Sequence, residues 1–223
     1  MPVPCSFDDL QKRDGPPLNT WGLWGKDNEL GQLNLIDAAA VKRGRDSVKH
    51  GIPVCLKWAE KNGVKLDQLS TKTPISLDMI QKCADEHGIK FESGDVLIVR
   101  TGYTEAVYNM PEDKYNEYNP MMGAIGVDPS PELMRWIWET GIPAVASDAF
   151  AFEAWPPKSM GPEKPCIHEV FLGGWGLPLG ELFDLRELSE KCAELNQYTF
   201  FLTTMAFNLE GGIGSPPNAQ AIL

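Results

Sequence analysis

The chain has 223 residues, 43% hydrophobic and 23% charged, the composition of a folded globular protein long enough to bury a substantial core. Its 20 lysines and arginines against 31 aspartates and glutamates give a net charge of −11, which with no basic stripe to oppose it disfavours nucleic acid as a partner. No apolar run approaches the ~18 residues of a membrane helix, since residues 96–99 close at Arg100 and residues 200–207 are broken by Thr203 and Thr204, so no membrane partner is expected.

Residues 1–20, rich in Pro, Asp and Gly without hydrophobic period, read as an N-terminal arm lying on the surface or on a partner subunit. Asp8 and Asp9 stand where a secretory signal needs a basic start and an apolar centre, which predicts a cytoplasmic protein. Residues 21–223 read as a single domain. Trp21-Gly-Leu-Trp24 and the stretch to Leu35 predict a packed loop, and Asp37 caps a helix over residues 38–50 that Gly51 and Pro53 end. Residues 52–56 are strand-like and residues 58–63 helix-like, with only Lys57 between them. Such a junction ordinarily takes about two to six residues carrying Gly, Asn, Asp or Ser.

Ser76 caps a second helix, with Met79, Ile80, Cys83 and Ala84 at helical spacing and a stop at His87-Gly88. The β-branched run 96–99 predicts a buried strand leading into Arg100-Thr101-Gly102. Residues 109–128 are loop-like, a lid or an arm. Residues 131–140 predict a helix with Leu133, Trp136 and Ile137 inward, and residues 142–146 a strand ending at Ser147-Asp148. A third helix over residues 186–197 precedes a strand over 198–205. Helix followed by strand three times is the order of a sheet covered by helices, so the predicted class is α/β. Cys5, Cys55, Cys83, Cys166 and Cys192 are odd in number and widely spread, which predicts free thiols.

Residues able to carry chemistry are few. His50 and His87 fall at predicted helix C-termini, where the helix dipole accommodates an imidazolium, and are assigned no chemistry. His168 lies between a proline-rich stretch and Gly173-Gly-Trp-Gly176, a loop setting that favours function. Glu181 stands between apolar neighbours, costly to bury unless paired or bound to a cation. The two read either as metal ligands or as hydrogen-bonded structure. Asp148, at the end of a predicted buried strand, either faces a ligand crevice or serves as a turn residue. No G-x-S-x-G elbow, P-loop or dinucleotide fingerprint is present.

Several stretches together carry a resemblance: Trp21-Gly-Leu-Trp24 with Glu29-Leu-Gly-Gln-Leu-Asn34, Gly94-Asp-Val-Leu-Ile-Val-Arg-Thr-Gly102, and Ser147-Asp-Ala-Phe-Ala-Phe-Glu153-Ala-Trp-Pro156, then His168-Glu169, Gly180-Glu181-Leu182 and Ser215-Pro-Pro-Asn218-Ala219. The chain resembles the metal-dependent cyclase family that includes bacterial kynurenine formamidase and isatin hydrolase, most nearly its long fungal branch. The resemblance implies a swivelling β/β/α domain and a hydrolase or cyclase of secondary metabolism acting on an amide, lactam or lactone carbonyl of a small metabolite. It further implies a divalent metal, Zn or Mn, and assembly as a homo-oligomer or with a full-length homologue. His168 and Glu181 take the positions of metal ligands, while Asp148, Glu153 and Trp155 take substrate-binding or supporting positions.

The family's first-half motif, H-x-G-T-H-x-D-x-x-x-H or its S-Q-W-D-G-x-x-H variant, is absent, and no histidine lies between His50 and His87. The chain therefore reads as internally shortened near residue 57, with a junction at residues 56–58. It is a hydrolase, a pseudoenzyme that binds a small molecule or a homologue without metal, or the product of a mis-joined gene model.

Overall fold

The computed structural model describes residues 2–56, 74–157, 165–207 and 209–223, so the junction expected at Lys57 and Trp58 lies outside the described residues. The class is α/β, but the strands divide between two small sheets where the sequence order suggested one. β2 (Leu97–Val99), β3 (Val145–Ser147) and β4 (Leu179–Gly180) are parallel, in the order β2-β3-β4. β1 (Pro53–Leu56), β5 (Phe201–Thr204) and β6 (Ala219–Ile222) are antiparallel, in the order β1-β6-β5. The short strand β6 carries too little alternation to be read from sequence. Its Ala219 and Ala221 are nevertheless buried against Val54 and Leu56 of β1 and against α7 (Arg186–Leu195).

The parallel sheet packs on α6 (Pro131–Thr140), which starts with Ser130 Oγ accepting the Leu133 N–H and ends at Gly141 in the left-handed conformation. The Ile142 N–H closes that cap on the Ile137 carbonyl and Pro143 has no N–H to give, so the strand begins at Val145, three residues later than the sequence suggested. The buried face of α6 is Leu133, Met134, Ile137 and Trp138. Trp136, expected inward, is half-buried against the edge of Phe91, because Trp138 takes the central place, its ring 5.3 Å from that of Trp175 and its indole N–H donated to the Cys5 carbonyl.

α3 (Leu77–Glu86) is capped by Ser76 as its sequence requires, though of its apolar face only Ile80 and Ala84 are buried, while Met79 and Cys83 are exposed. α2 (Ala38–Asp46) is capped by Asp37 and stops short of residue 50. Beyond it the chain has turned toward β1, and the His50 and Ile52 N–H groups donate to the Leu223 carbonyl. Residues 103–122 hold short helices that the sequence left unmarked: α4 (Tyr103–Tyr108), α5 (Glu112–Glu117) and a 3-10 turn (Pro120–Met122).

The N-terminal segment expected as an arm joins the main core. Its helix α1 (Phe7–Leu10) buries Phe7 and Leu10 to 1% exposure, Phe7 meets Trp175 edge to face, and Asp8 pairs with Arg135 of α6. In the loop expected to be packed, Leu23 lies against that core, while Trp21 is 59% exposed and donates its indole N–H to the Gly173 carbonyl. All five cysteines are free thiols. Among the described residues no helix is long and apolar enough to cross a membrane.

Candidate functional site

The three parallel strands end side by side, and each delivers a polar residue just past its last member: Thr101 shortly after β2, Asp148 after β3 and Glu181 after β4. The crevice at the carboxyl ends of parallel strands is where such sheets place their ligands. Opposite them, where the sequence suggested a loop, the helical turn Ile167–His168 runs into a π-helix (Glu169–Trp175), a rare conformation found frequently at functional sites.

That turn is held by carboxylates. Glu169 Oε2 accepts the Cys166 N–H at 2.9 Å, the reciprocal half of a capping box. Glu153, fully buried, accepts the Ile167 N–H at 2.9 Å on Oε2 and the His168 N–H at 3.2 Å on Oε1. Its Oε1 also lies 2.7 Å from His168 Nδ1, while His168 Nε2 lies 3.0 Å from Glu181 Oε1. An ionised carboxylate only accepts, so both ring nitrogens donate and the ring is an imidazolium. The Glu153 bond first and the Glu181 bond second push the His168 pKa up to about 9, against the opposing effect of burial. Glu153 is the sealed end of this triad. The side chains of His168 and Glu181 are 31% and 34% exposed and form its open end.

Glu153 gets its position from a ladder of bridges: Val127 N–H donates to the Phe152 carbonyl and Ala154 N–H to the Val127 carbonyl, while Ala124 and Trp155 exchange both backbone bonds. Glu181 is followed by Leu182 in the left-handed conformation at φ +56°, its N–H donated to the Ala149 carbonyl. A leucine rarely adopts that angle, and such outliers gather at functional sites.

Of the residues singled out from sequence, the structure brings Glu153, His168 and Glu181 together. Asp148 stands apart, 1% exposed: its Oδ1 accepts the Thr101 N–H (2.6 Å) and hydroxyl (2.8 Å), and its Oδ2 accepts the Gly102 N–H (2.8 Å). Burial pushes its carboxyl above the usual carboxylate range despite these three bonds. Asp148 thus anchors the turn into α4. Trp155 is half-buried in an apolar cluster with Tyr103, Ala149, Phe150 and Leu182. His87 stacks on Tyr198 at 3.8 Å and His50 lies beyond α2, so His168 is the sole histidine of the site. The partnership of Thr101 with Asp148 has no local sequence signal beyond a Thr just past a strand.

The Cyclase family model matches residues 36–154, just over half of the chain. The chain belongs to the cyclase family. The match takes in Asp148 and Glu153 and stops before His168 and Glu181. A crystal structure described as a novel cyclase aligns with this chain at a TM-score of 0.76 and 18% identity, over 92% of this chain and 99% of that one, which shows the fold. An isatin hydrolase bound to the product analogue thioisatinate aligns at a TM-score of 0.46 and 20% identity, over 67% of this chain and 53% of that one. No curated protein matches significantly.

Cyclases of this family are generally metal-dependent. In this chain both oxygens of Glu153 are engaged by the His168 turn and those of Asp148 by Thr101 and Gly102. His168 Nε2 and the Glu181 carboxylate remain, one donor fewer than the three protein ligands of a catalytic zinc. Among the described residues no group of three His, Cys, Asp or Glu is arranged to hold a metal ion. The described donor set therefore does not fit a catalytic metal centre.

Proposed function

We propose that this cyclase-family chain acts on the amide, lactam or lactone carbonyl of a small metabolite, with Glu153, His168 and Glu181 as its working groups and no metal held by them. The observation that carries this reading is the His168 ring held by a carboxylate at each nitrogen, sealed on the Glu153 side and open on the Glu181 side. A carbonyl oxygen that replaces Glu181 at Nε2 receives a hydrogen bond from a cation, which stabilises the oxyanion formed on attack. The displaced Glu181 carboxylate is then at hand to take a proton from the attacking water, and His168 to give one to the leaving group. General acid and base of this kind supply about 10²- to 10⁴-fold each, so turnover is slow beside that of a metal enzyme.

A second reading, a pseudoenzyme that binds the same carbonyl compound or a full-length homologue, is favoured by the two-donor set and by the absence of the first-half motif. The test is hydrolysis of a panel of N-formyl aryl amides, isatin-type lactams and aryl lactones by the purified full chain, with and without added Zn or Mn, alongside His168→Ala and Glu181→Gln. Slow hydrolysis without metal, lost in His168→Ala, is expected. Calorimetric binding without turnover would decide for the second reading, and hydrolysis only with added metal would overturn the metal-free assignment.

A further inference from the structure

Glu153 reaches His168 because the segment that carries it lies hard against residues 124–127. The two main chains come closest at Gly126, where an added Cβ would lie 2.3 Å from the Glu153 carbonyl carbon, 2.4 Å from its oxygen and 2.5 Å from the Ala154 nitrogen. Carbon contacts settle at about 3.5 Å or more, so a side chain there drives the two backbones apart by about 1 Å. Neither side yields cheaply. Ile75 N–H donates to the Gly126 carbonyl at 2.9 Å, and Val127 is bonded to Phe152 and Ala154 at 3.0 and 2.9 Å. The backbone angle at Gly126 is not in the left-handed region, so what glycine supplies here is close approach.

We propose that Gly126 is a positioning residue for His168: lacking a Cβ, it lets the Glu153 carboxylate stand where it accepts the ring Nδ1–H together with the Ile167 and His168 backbone N–H groups. This rests on the reading of Glu153, His168 and Glu181 as the functional centre. A retreat of about 1 Å carries the 2.7 Å Nδ1 contact beyond hydrogen-bond range. Gly126 touches none of the three side chains in the hydrogen bonds described above and acts entirely through the backbone of residues 153 and 154.

The test is a double-mutant cycle on the full chain, Gly126→Ala with and without His168→Ala, read by urea unfolding, with Gly173→Ala as the control because a Cβ there meets nothing within 4 Å. In the otherwise unchanged protein Gly126→Ala should raise the unfolding constant at least about tenfold, and in the His168→Ala background at least about threefold less than that. The imidazole Nδ1 proton signal of His168 should disappear in Gly126→Ala and persist in Gly173→Ala. Equal penalties in both backgrounds, or an unmoved Nδ1 signal, would overturn the proposal and leave Gly126 a packing residue. If Gly126→Ala does not fold, hydrogen exchange on the unaltered protein decides: the Val127, Ile167 and His168 amides should open in one event, and a ladder that opens without Ile167 and His168 refutes it. None of these measurements uses turnover, so the proposed reaction and this placement of Gly126 can fail separately.

Discussion

Glu153 and His168 are joined twice: a single carboxylate oxygen receives both the backbone N–H and the ring Nδ1–H of the histidine, while the other oxygen takes the N–H of the residue before it. The histidine is thereby fixed in place and in charge, and its second nitrogen is presented to Glu181.

Stability should fall as pH rises. The folded-state pKa of His168 is about 9, above its ordinary value of 6.5, so the stabilisation is fully present below pH 6.5 and is lost as pH climbs through 9. The loss is on the order of 1 to 3 kcal/mol, discounted for the exposed part of the ring. Urea unfolding between pH 6 and 10 measures it, and His168→Gln should flatten that part of the profile.

Glu153→Ala strands two backbone donors and removes one of the two carboxylates that hold the half-buried His168 ring, and should cost about 3 to 5 kcal/mol. Glu153→Gln keeps the volume but turns an amide N–H toward donors, so a loss of about 1 to 3 kcal/mol is expected. Thermal or chemical denaturation of both variants checks the order. A Gln variant as stable as the parent would mean that the carboxylate charge is not what holds the turn.

Asp148→Asn should destabilise by about 1 to 3 kcal/mol, since one of its two oxygens becomes an NH₂ facing backbone N–H donors. The effect belongs to the turn into α4, so the pH titration of His168 should be unchanged. A shifted titration would place Asp148 within the charged centre after all.

Metal content gives a direct reading of the donor count. The purified full chain, dialysed against metal-free buffer, should hold well under one divalent ion per chain by elemental analysis, and a chelator should leave its unfolding midpoint unmoved. Near-stoichiometric metal lost in both His168→Ala and Glu181→Ala would restore the ligand roles that the family resemblance implies.

Phe7→Ala should cost about 3 to 5 kcal/mol, the price of emptying a buried aromatic site. Denaturant unfolding reads it directly. A cost below about 1 kcal/mol would mean that the N-terminal segment behaves as a detachable arm.

Much of this was legible where local chemistry rules the outcome. The Ser76 and Asp37 caps and the run at residues 96–99 announce themselves within a few residues, whereas the glycines after His168 suggested a loop where the chain forms a helical turn and a π-helix. The division into two sheets was not legible, because which strands pair depends on partners far along the chain: β1 finds β6 from the opposite end of the sequence. Phe7 was obscured by the Pro and Asp around it, whose turn signals outweigh a single aromatic. Gly126 sits in a stretch without periodicity, and its significance exists only once the Glu153 backbone lies beside it.

The ladder that seats Glu153 joins segments around residues 75, 127 and 153, and the carboxylate then reaches across to residue 167. The contact between Glu153 and Ile167 closes a loop of 14 residues, whereas β1 reaches from residue 56 to residue 219 to find β6, so loop closure favours the charged centre forming before the antiparallel sheet. Substitutions there should therefore slow refolding as well as speed unfolding. The triad can thus be assembled for an interval in which the C-terminal strand has yet to close the antiparallel sheet.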